Sequence, residues 1–179
     1  MENCKSMIVL SAAMTLDGKI GQRNKKVVLS SKSDKIRVHK LRSKFDAILV
    51  GKNTVEQDDP LLTVRHAKGK NPIRIILDSH GTIKNTSKII KTAKNIPTII
   101  VTSQLVSKRN FSRLKNLPLD VIVCGKNQVD IRKLKELACN IYNPFNVIIQ
   151  APMELLSIHT YRKLCRVTLD KRRREFSAN

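Results

Sequence analysis

The sequence predicts an α/β fold built on a central, mainly parallel sheet, and three observations carry that expectation. Short apolar runs recur along the chain, among them Ala47–Val50, Ile73–Leu77, Thr98–Thr102 and Asn146–Ile149, and they read as buried strands. Between several of them lie stretches with apolar residues three and four apart, as in Val38, Leu41 and Phe45. Strands that alternate with helices in this way form a parallel sheet flanked by helices. The 179 residues suit one domain with a sizeable core, and no internal repeat or low-complexity linker divides them.

Each element has its own signal. Met7–Thr15 reads as a first strand buried on both faces, ended by the turn Leu16-Asp17-Gly18-Lys19. Lys25–Leu29 is a short extended piece. Ser31 and Ser33 are candidate caps for a helix over Asp34–Lys44, in which His39 reads as a surface histidine. Ala47–Val50 is a strand ended by Gly51, and Asn53–Gln57 is compatible with a short helix. Asp58-Asp59-Pro60 then forces a turn, because Pro60 fixes its own φ and disfavours helix before it. A further apolar run, Leu61–Val64, closes at Arg65. Ile73–Leu77 is a strand, Lys84–Lys94 is irregular or weakly helical, and Thr98–Thr102 is a strand. Ser103 is a candidate cap for a helix over Val106–Leu114. Val121–Cys124 is a strand stopped at Gly125, Asp130 a candidate cap for a helix carrying Ile131, Leu134 and Ala138, and Asn146–Ile149 the last strand.

Composition narrows the functional classes. No apolar run approaches the length of a membrane span, and the N-terminus lacks the pattern of a signal peptide, so a cytoplasmic location is expected. Cys4, Cys124, Cys139 and Cys165 have no metal-ligand spacing; free thiols and no metal site are expected. The formal charge is +21, from 35 basic and 14 acidic residues. Such a field attracts anions and nucleic acid. Aromatic residues make up only 3% of the chain, whereas single-strand binders need aromatic stacking platforms.

The stretch VGKNTVEQDDPLLTVR at 50–65 joins a strand end, a short helix and two adjacent carboxylates. Together with SAAMTLDGKI at 11–20, HKLRSKFDAILVG at 39–51 and NPIRIILDS at 71–79, it resembles the riboflavin-biosynthesis reductases. These are stand-alone enzymes or the reductase half of a bacterial deaminase–reductase. The deaminase's own zinc signature is missing here. The resemblance implies a three-layer, dihydrofolate-reductase-like fold with a mixed, mainly parallel sheet. It implies a single reductase-like domain over 1–170, with a basic tail at 171–179. The implied activity is NADPH-dependent reduction of 2,5-diamino-6-ribosylamino-pyrimidinone 5′-phosphate to its ribitylamino form, typically by a homodimer. Carried across residue by residue, it places Ala13, Thr54 and Asp58 on the cofactor, with Ser79 a further candidate. It places Arg42, Leu62 and Arg65 on the phosphorylated substrate. No residue announces itself as the general acid, and Asp59 reads as shaping the turn.

One departure from the family is plain. Where the family has an acid followed by glycines, this chain has Gln150-Ala151-Pro152-Met153. Glycines there let backbone amides meet cofactor phosphates, and Pro152 has no amide hydrogen to offer. The strands that follow in the family are also largely missing, with a faint echo at Leu164–Leu169. An inactive or truncated reductase paralogue is therefore the alternative reading. A basic nucleic-acid-binding protein is a further one, favoured only by charge.

Overall fold

The computed structural model describes residues 7–11, 31–141 and 146–150. Several pieces of the sequence reading lie outside these residues: Cys4, the end of the first strand with the Ala13 contact, the turn at 16–19, the extended piece at 25–29, the departure at 151–153, the echo at 164–169 with Cys165, and the tail at 171–179.

Six strands form one sheet: β1 (Ile8–Ser11), β2 (Ala47–Gly51), β3 (Ile73–Leu77), β4 (Thr98–Thr102), β5 (Asp120–Val123) and β6 (Val147–Gln150). Their spatial order is β1-β6-β2-β3-β4-β5, and every pairing among the described residues is parallel. The antiparallel member of the expected mixed sheet is not among them. Five helices connect the strands: α1 (Lys32–Arg42), α2 (Lys52–Asp58), α3 (Lys88–Lys91), α4 (Lys108–Lys115) and α5 (Ile131–Ile141).

Side chains alternate across the sheet, so each strand feeds two cores. Ile48, Val50, Ile76, Ile100 and Ile148 pack on one face with Val55 of α2, Ile89 and Ile90 of α3 and Leu114 of α4, and with Leu41 of α1 against them. Ala47, Leu49, Ile75, Val101 and Ile149 pack on the other face with Leu134 of α5. Handedness explains this division. The chain steps in one direction from β1 to β2, β3, β4 and β5, and reverses from β5 to β6. Right-handed crossovers then put α1 to α4 on one face and α5 on the other. The result is three layers. Residues 47–50 of β2 are all buried because β2 is central, flanked by β6 and β3. β1 is half-buried rather than buried on both faces, since it pairs only with β6 at the sheet edge.

Local signals set most boundaries. Ser31 caps α1, its Oγ accepting from the Asp34 amide at 3.2 Å, and Lys40 and Arg42 in the last turn suit the helix dipole. Asp130 Oδ1 accepts from the amides of Arg132 and Lys133 at 3.0 and 3.3 Å, which caps α5. Ser107, and not Ser103, caps α4, its Oγ accepting from the Asn110 amide at 3.2 Å. Ser103 is buried under the β4 end, where its hydroxyl donates to the Ser79 carbonyl at 2.9 Å. The expected irregular or weakly helical stretch holds one helical turn, α3. Asp59 ends α2 in the left-handed region (φ 41°), its carboxylate accepting from the Lys88 amide at 2.7 Å. It therefore shapes the turn, as its sequence context suggests. Leu61–Val64 has no regular structure, and Leu62 also has positive φ (54°).

Candidate functional site: a cleft at the strand ends and a buried arginine beside it

A cleft of about 500 Å³ opens beyond the carboxyl ends of β6, β2 and β3, the place where open α/β sheets bind ligands. Its walls come from the β2–α2 junction (Gly51, Lys52, Asn53, Thr54), the β3 end (Asp78, Ser79, His80) and the β5–α5 loop (Asn127, Gln128, Val129). Gln150 lines it from β6.

The walls are held by their own hydrogen bonds. Asp78 is buried, and its Oδ2 accepts from the Ile83 amide at 2.7 Å, which closes the turn after β3. Gly81 sits in that turn at φ +64°, where a Cβ would lie 2.9 Å from the Val106 side chain. Ser79 joins two walls, since its Oγ accepts from the Val129 amide at 3.2 Å and its carbonyl receives Ser103. Lys52 Nζ donates to Thr82 Oγ1 at 3.0 Å and pairs with Glu56 at 3.3 Å. At Gly51 a Cβ would meet nothing within 4 Å. The φ of −81° there suits any residue, so a side chain would project into open space without straining the backbone.

Behind Gln150 lies a second centre. Arg42 is buried at 8% exposure, and its Nε and Nη2 both donate to Gln150 Oε1, at 2.9 and 2.6 Å. Its Nη1 donates to the Thr63 carbonyl at 3.0 Å. Thr63 Oγ1 is buried without a partner among the described residues. Burial first, and then the nearby Arg65, lower the Arg42 pKa to about 10, so the group stays charged near neutrality. No carboxylate pairs with it among the described residues. The arrangement is a buried positive charge, a second guanidinium in its field, and two of five N–H groups without a partner among the described residues.

His39 completes this centre. It is buried at 6% exposure and not a surface histidine. Its Nδ1 accepts from the Arg65 amide at 3.0 Å, and the His66 ring meets it edge-on with centroids 4.7 Å apart. Burial, then Arg42, His66 and Arg65, push its pKa down to about 4.

The residues named from sequence distribute as follows. Thr54 and Ser79 line the cleft. Asp58 is exposed at the end of α2 and is not a lining residue. Leu62 is buried in the first core, and Arg65 is exposed next to the Arg42 centre. Sequence reasoning missed His39, the β5–α5 wall and the direct bond from Arg42 to Gln150.

Fold and site together define a parallel α/β domain with a ligand cleft at its strand ends, of dihydrofolate-reductase-like architecture. The model of the RibD C-terminal domain family matches residues 6–141, and the chain belongs to that family. The 2,5-diamino-6-ribosylamino-4(3H)-pyrimidinone 5′-phosphate reductase of Aquifex aeolicus is 36% identical over 132 residues, 71% of this chain and 58% of that protein. The reductase of the same name from Methanothermobacter thermautotrophicus is 38% identical over 132 residues, 72% of this chain and 60% of that protein. The chain thus spans somewhat under two thirds of the length of these relatives. Among solved structures, a riboflavin biosynthesis reductase from Saccharomyces cerevisiae superposes with a TM-score of 0.62 at 25% identity, covering 84% of this chain and 64% of that one. A pyrimidine reductase-like protein from Corynebacterium diphtheriae superposes with a TM-score of 0.70 at 16% identity, covering 93% of this chain and 71% of that one. At that identity it speaks for the fold alone.

Proposed function

We propose that the chain reduces 2,5-diamino-6-ribosylamino-pyrimidinone 5′-phosphate to the ribitylamino compound with NADPH as hydride donor. The observation that carries this reading is the junction at Gln150. One polar cleft and one cationic centre meet there, and a dinucleotide and a sugar phosphate need that pair of environments. The relatives named for this reaction make the substrate class specific.

Gly51 supports the cofactor assignment, because the open space at its missing Cβ lets a bulky group lie close against the backbone. Thr54 and Ser79 are the hydroxyls placed to hold NADPH in the cleft, with Ala13 expected beside them. Bound there, NADPH supplies the hydride, and the protein supplies position and field. Asp58 keeps the cofactor role implied by the resemblance only if a segment outside the described residues brings the ligand to it. On the substrate side, Arg65 is exposed and offers a phosphate its fork of donors. Arg42 adds charge from beneath, and Leu62 shapes the loop between them. A homodimer is proposed from the family resemblance.

Gln150 also favours a second reading, a reductase scaffold without turnover. A neutral amide stands where the family has an acid, next to the substrate's expected place. One experiment separates the two. Consumption of NADPH is followed with and without the pyrimidine substrate, alongside direct NADPH binding. Substrate-dependent oxidation supports the reductase, binding without turnover supports the scaffold, and no saturable NADPH binding overturns both. Gly51→Val serves as the site control. It should weaken NADPH at least about tenfold by filling the cleft, while stability changes by less than about 1 kcal/mol because the backbone there is relaxed.

A further inference from the structure

The loop 61–65 has no regular secondary structure, yet four of its backbone groups are held by side chains, three from α1 and β3 and one, Asn71, from the segment leading into β3. Arg74 Nη1 donates to the Leu61 carbonyl at 3.3 Å, and Arg42 Nη1 to the Thr63 carbonyl at 3.0 Å. The Val64 amide donates to Asn71 Oδ1 at 2.8 Å, and the Arg65 amide to His39 Nδ1 at 3.0 Å. Leu62 is held at φ 54° within the same loop. A non-glycine residue in that region persists only where its surroundings over-determine it.

We propose that His39 is a positioning residue for the substrate side of this site: by accepting the Arg65 amide, it fixes the backbone point from which the Arg65 side chain projects beside Arg42. The proposal rests on the reading of Arg65 as a phosphate ligand. Three features single out His39. It lies one helical turn before Arg42 on α1, so the last turn of one helix holds both cationic residues, Arg42 directly and Arg65 through its backbone. It is buried, so the ring has little contact with bulk water to exchange for this bond. Its Nδ1 can accept only if the proton sits on Nε2 of a neutral ring. The charged and titratable groups facing it, Arg42, His66 and Arg65, disfavour a positive imidazole and together with burial outweigh the Thr63 backbone bond that favours one. The cationic surroundings that suit an anionic ligand are thus the same ones that keep His39 an acceptor.

The test is a double-mutant cycle read by ribose 5-phosphate binding, with NADPH binding as the control. Asn places an oxygen close to where Nδ1 stands and does not titrate, so His39→Asn is the conservative variant. His39→Ala should weaken ribose 5-phosphate about fivefold to tenfold, in line with one lost hydrogen bond, and leave NADPH within about twofold. His39→Asn should stay within about twofold of the parent for both ligands. Added to Arg65→Ala, His39→Ala should cost nothing more. An equal further loss in that background overturns the proposal, because His39 would then act independently of Arg65. Equal losses in His39→Ala and His39→Asn also overturn it. If Arg65→Ala alone leaves ribose 5-phosphate binding unchanged, the phosphate role of Arg65 fails, and the proposal falls with it. Should His39→Ala not fold, His39→Gln takes its place, with exchange protection of the Arg65 amide as the second measurement. Undiminished protection in that variant counts against the clamp.

Discussion

Arg42 and Arg74 are both buried arginines without an acidic partner among the described residues, and their surroundings differ in one decisive respect. Arg74 is fully buried where β3, β4 and α3 meet. Its Nε and Nη2 donate to Thr98 Oγ1, its Nη1 to Thr92 Oγ1 and the Leu61 carbonyl, and its Nη2 also to the carbonyls of Ile89 and Ile96. Every arm of that guanidinium is occupied by a fixed neutral acceptor. Burial lowers its pKa to about 10 and no other cause contributes. Arg42 instead spends two of its arms on one amide oxygen that borders an open cleft, and a second arginine stands in its field. A buried charge with saturated donors is a brace. One with donors left over among the described residues, beside a cleft, is what the proposed substrate role of Arg42 needs. The chemistry of the side chain is the same in both places, so only the acceptor count separates structure from function.

The largest effect should come from breaking the brace. Arg74→Met removes the donor held by the Leu61 carbonyl and leaves the Ile89 and Ile96 carbonyls with only the Thr92 and Thr98 hydroxyls. A cost of about 3–5 kcal/mol is expected, as for other disrupted buried polar networks. In thermal unfolding that is a fall of roughly 10 °C or more for a chain of this size. Arg42→Met should cost less, about 1–2 kcal/mol, and should abolish ribose 5-phosphate binding. If the two variants lose equal stability, Arg42 is as much a brace as Arg74 and the contrast fails.

Acidity probes the same contrast. His39 has an ordinary pKa of 6.5 when unfolded and about 4 when folded. Below pH 6.5 the unfolded chain takes a proton that the folded chain refuses, so stability is fully present above 6.5 and is lost as pH falls to about 4. The shift corresponds to at most about 3 kcal/mol. His39→Asn should remove this slope between those pH values, whereas no shift at Arg74 falls in the window. An unchanged slope in the variant would assign the acid sensitivity elsewhere.

The legibility of the sequence follows the same physical divide. The strands β3 and β4 appear at their sequence boundaries because five consecutive residues that are apolar or β-branched apart from Arg74, with a run of three buried in each, leave little other choice. The caps at Ser31 and Asp130 were readable because a capping bond spans two or three residues. The choice between Ser103 and Ser107 was not, since it depended on Ser103 being drawn under β4 by a residue 24 positions away. The site shows the same limit. Thr54 and Ser79 were placed by short motifs at strand ends, and both line the cleft. The burial of His39 was not readable, because charged neighbours at Lys40 and Arg42 give a helix surface pattern. What buries it is the 61–65 loop folding back, a contact across 26 positions. The Arg42–Gln150 bond spans 108 positions and joins elements that local periodicity cannot relate.

The mildest prediction of this comparison concerns that last bond. Gln150→Glu restores an acid at the position where the family resemblance expects one. The amide now offers a single oxygen to two guanidinium donors. A carboxylate offers two oxygens and a charge, and fork-to-fork pairs are the stronger kind. Part of that gain is offset by removing the carboxylate from water at a half-buried position, so a net gain of about 1 kcal/mol is expected. The neutralised Arg42 would then contribute less to the field that Arg65 shares. Binding of ribose 5-phosphate should fall a few-fold, and its salt dependence should flatten, since screening acts on the net charge that remains. Calorimetry at two ionic strengths reads both quantities. Tighter binding in Gln150→Glu would mean that the residue at 150 contacts the ligand directly. The anion centre would then belong to Arg65 alone, with Arg42 reclassified beside Arg74 as a brace.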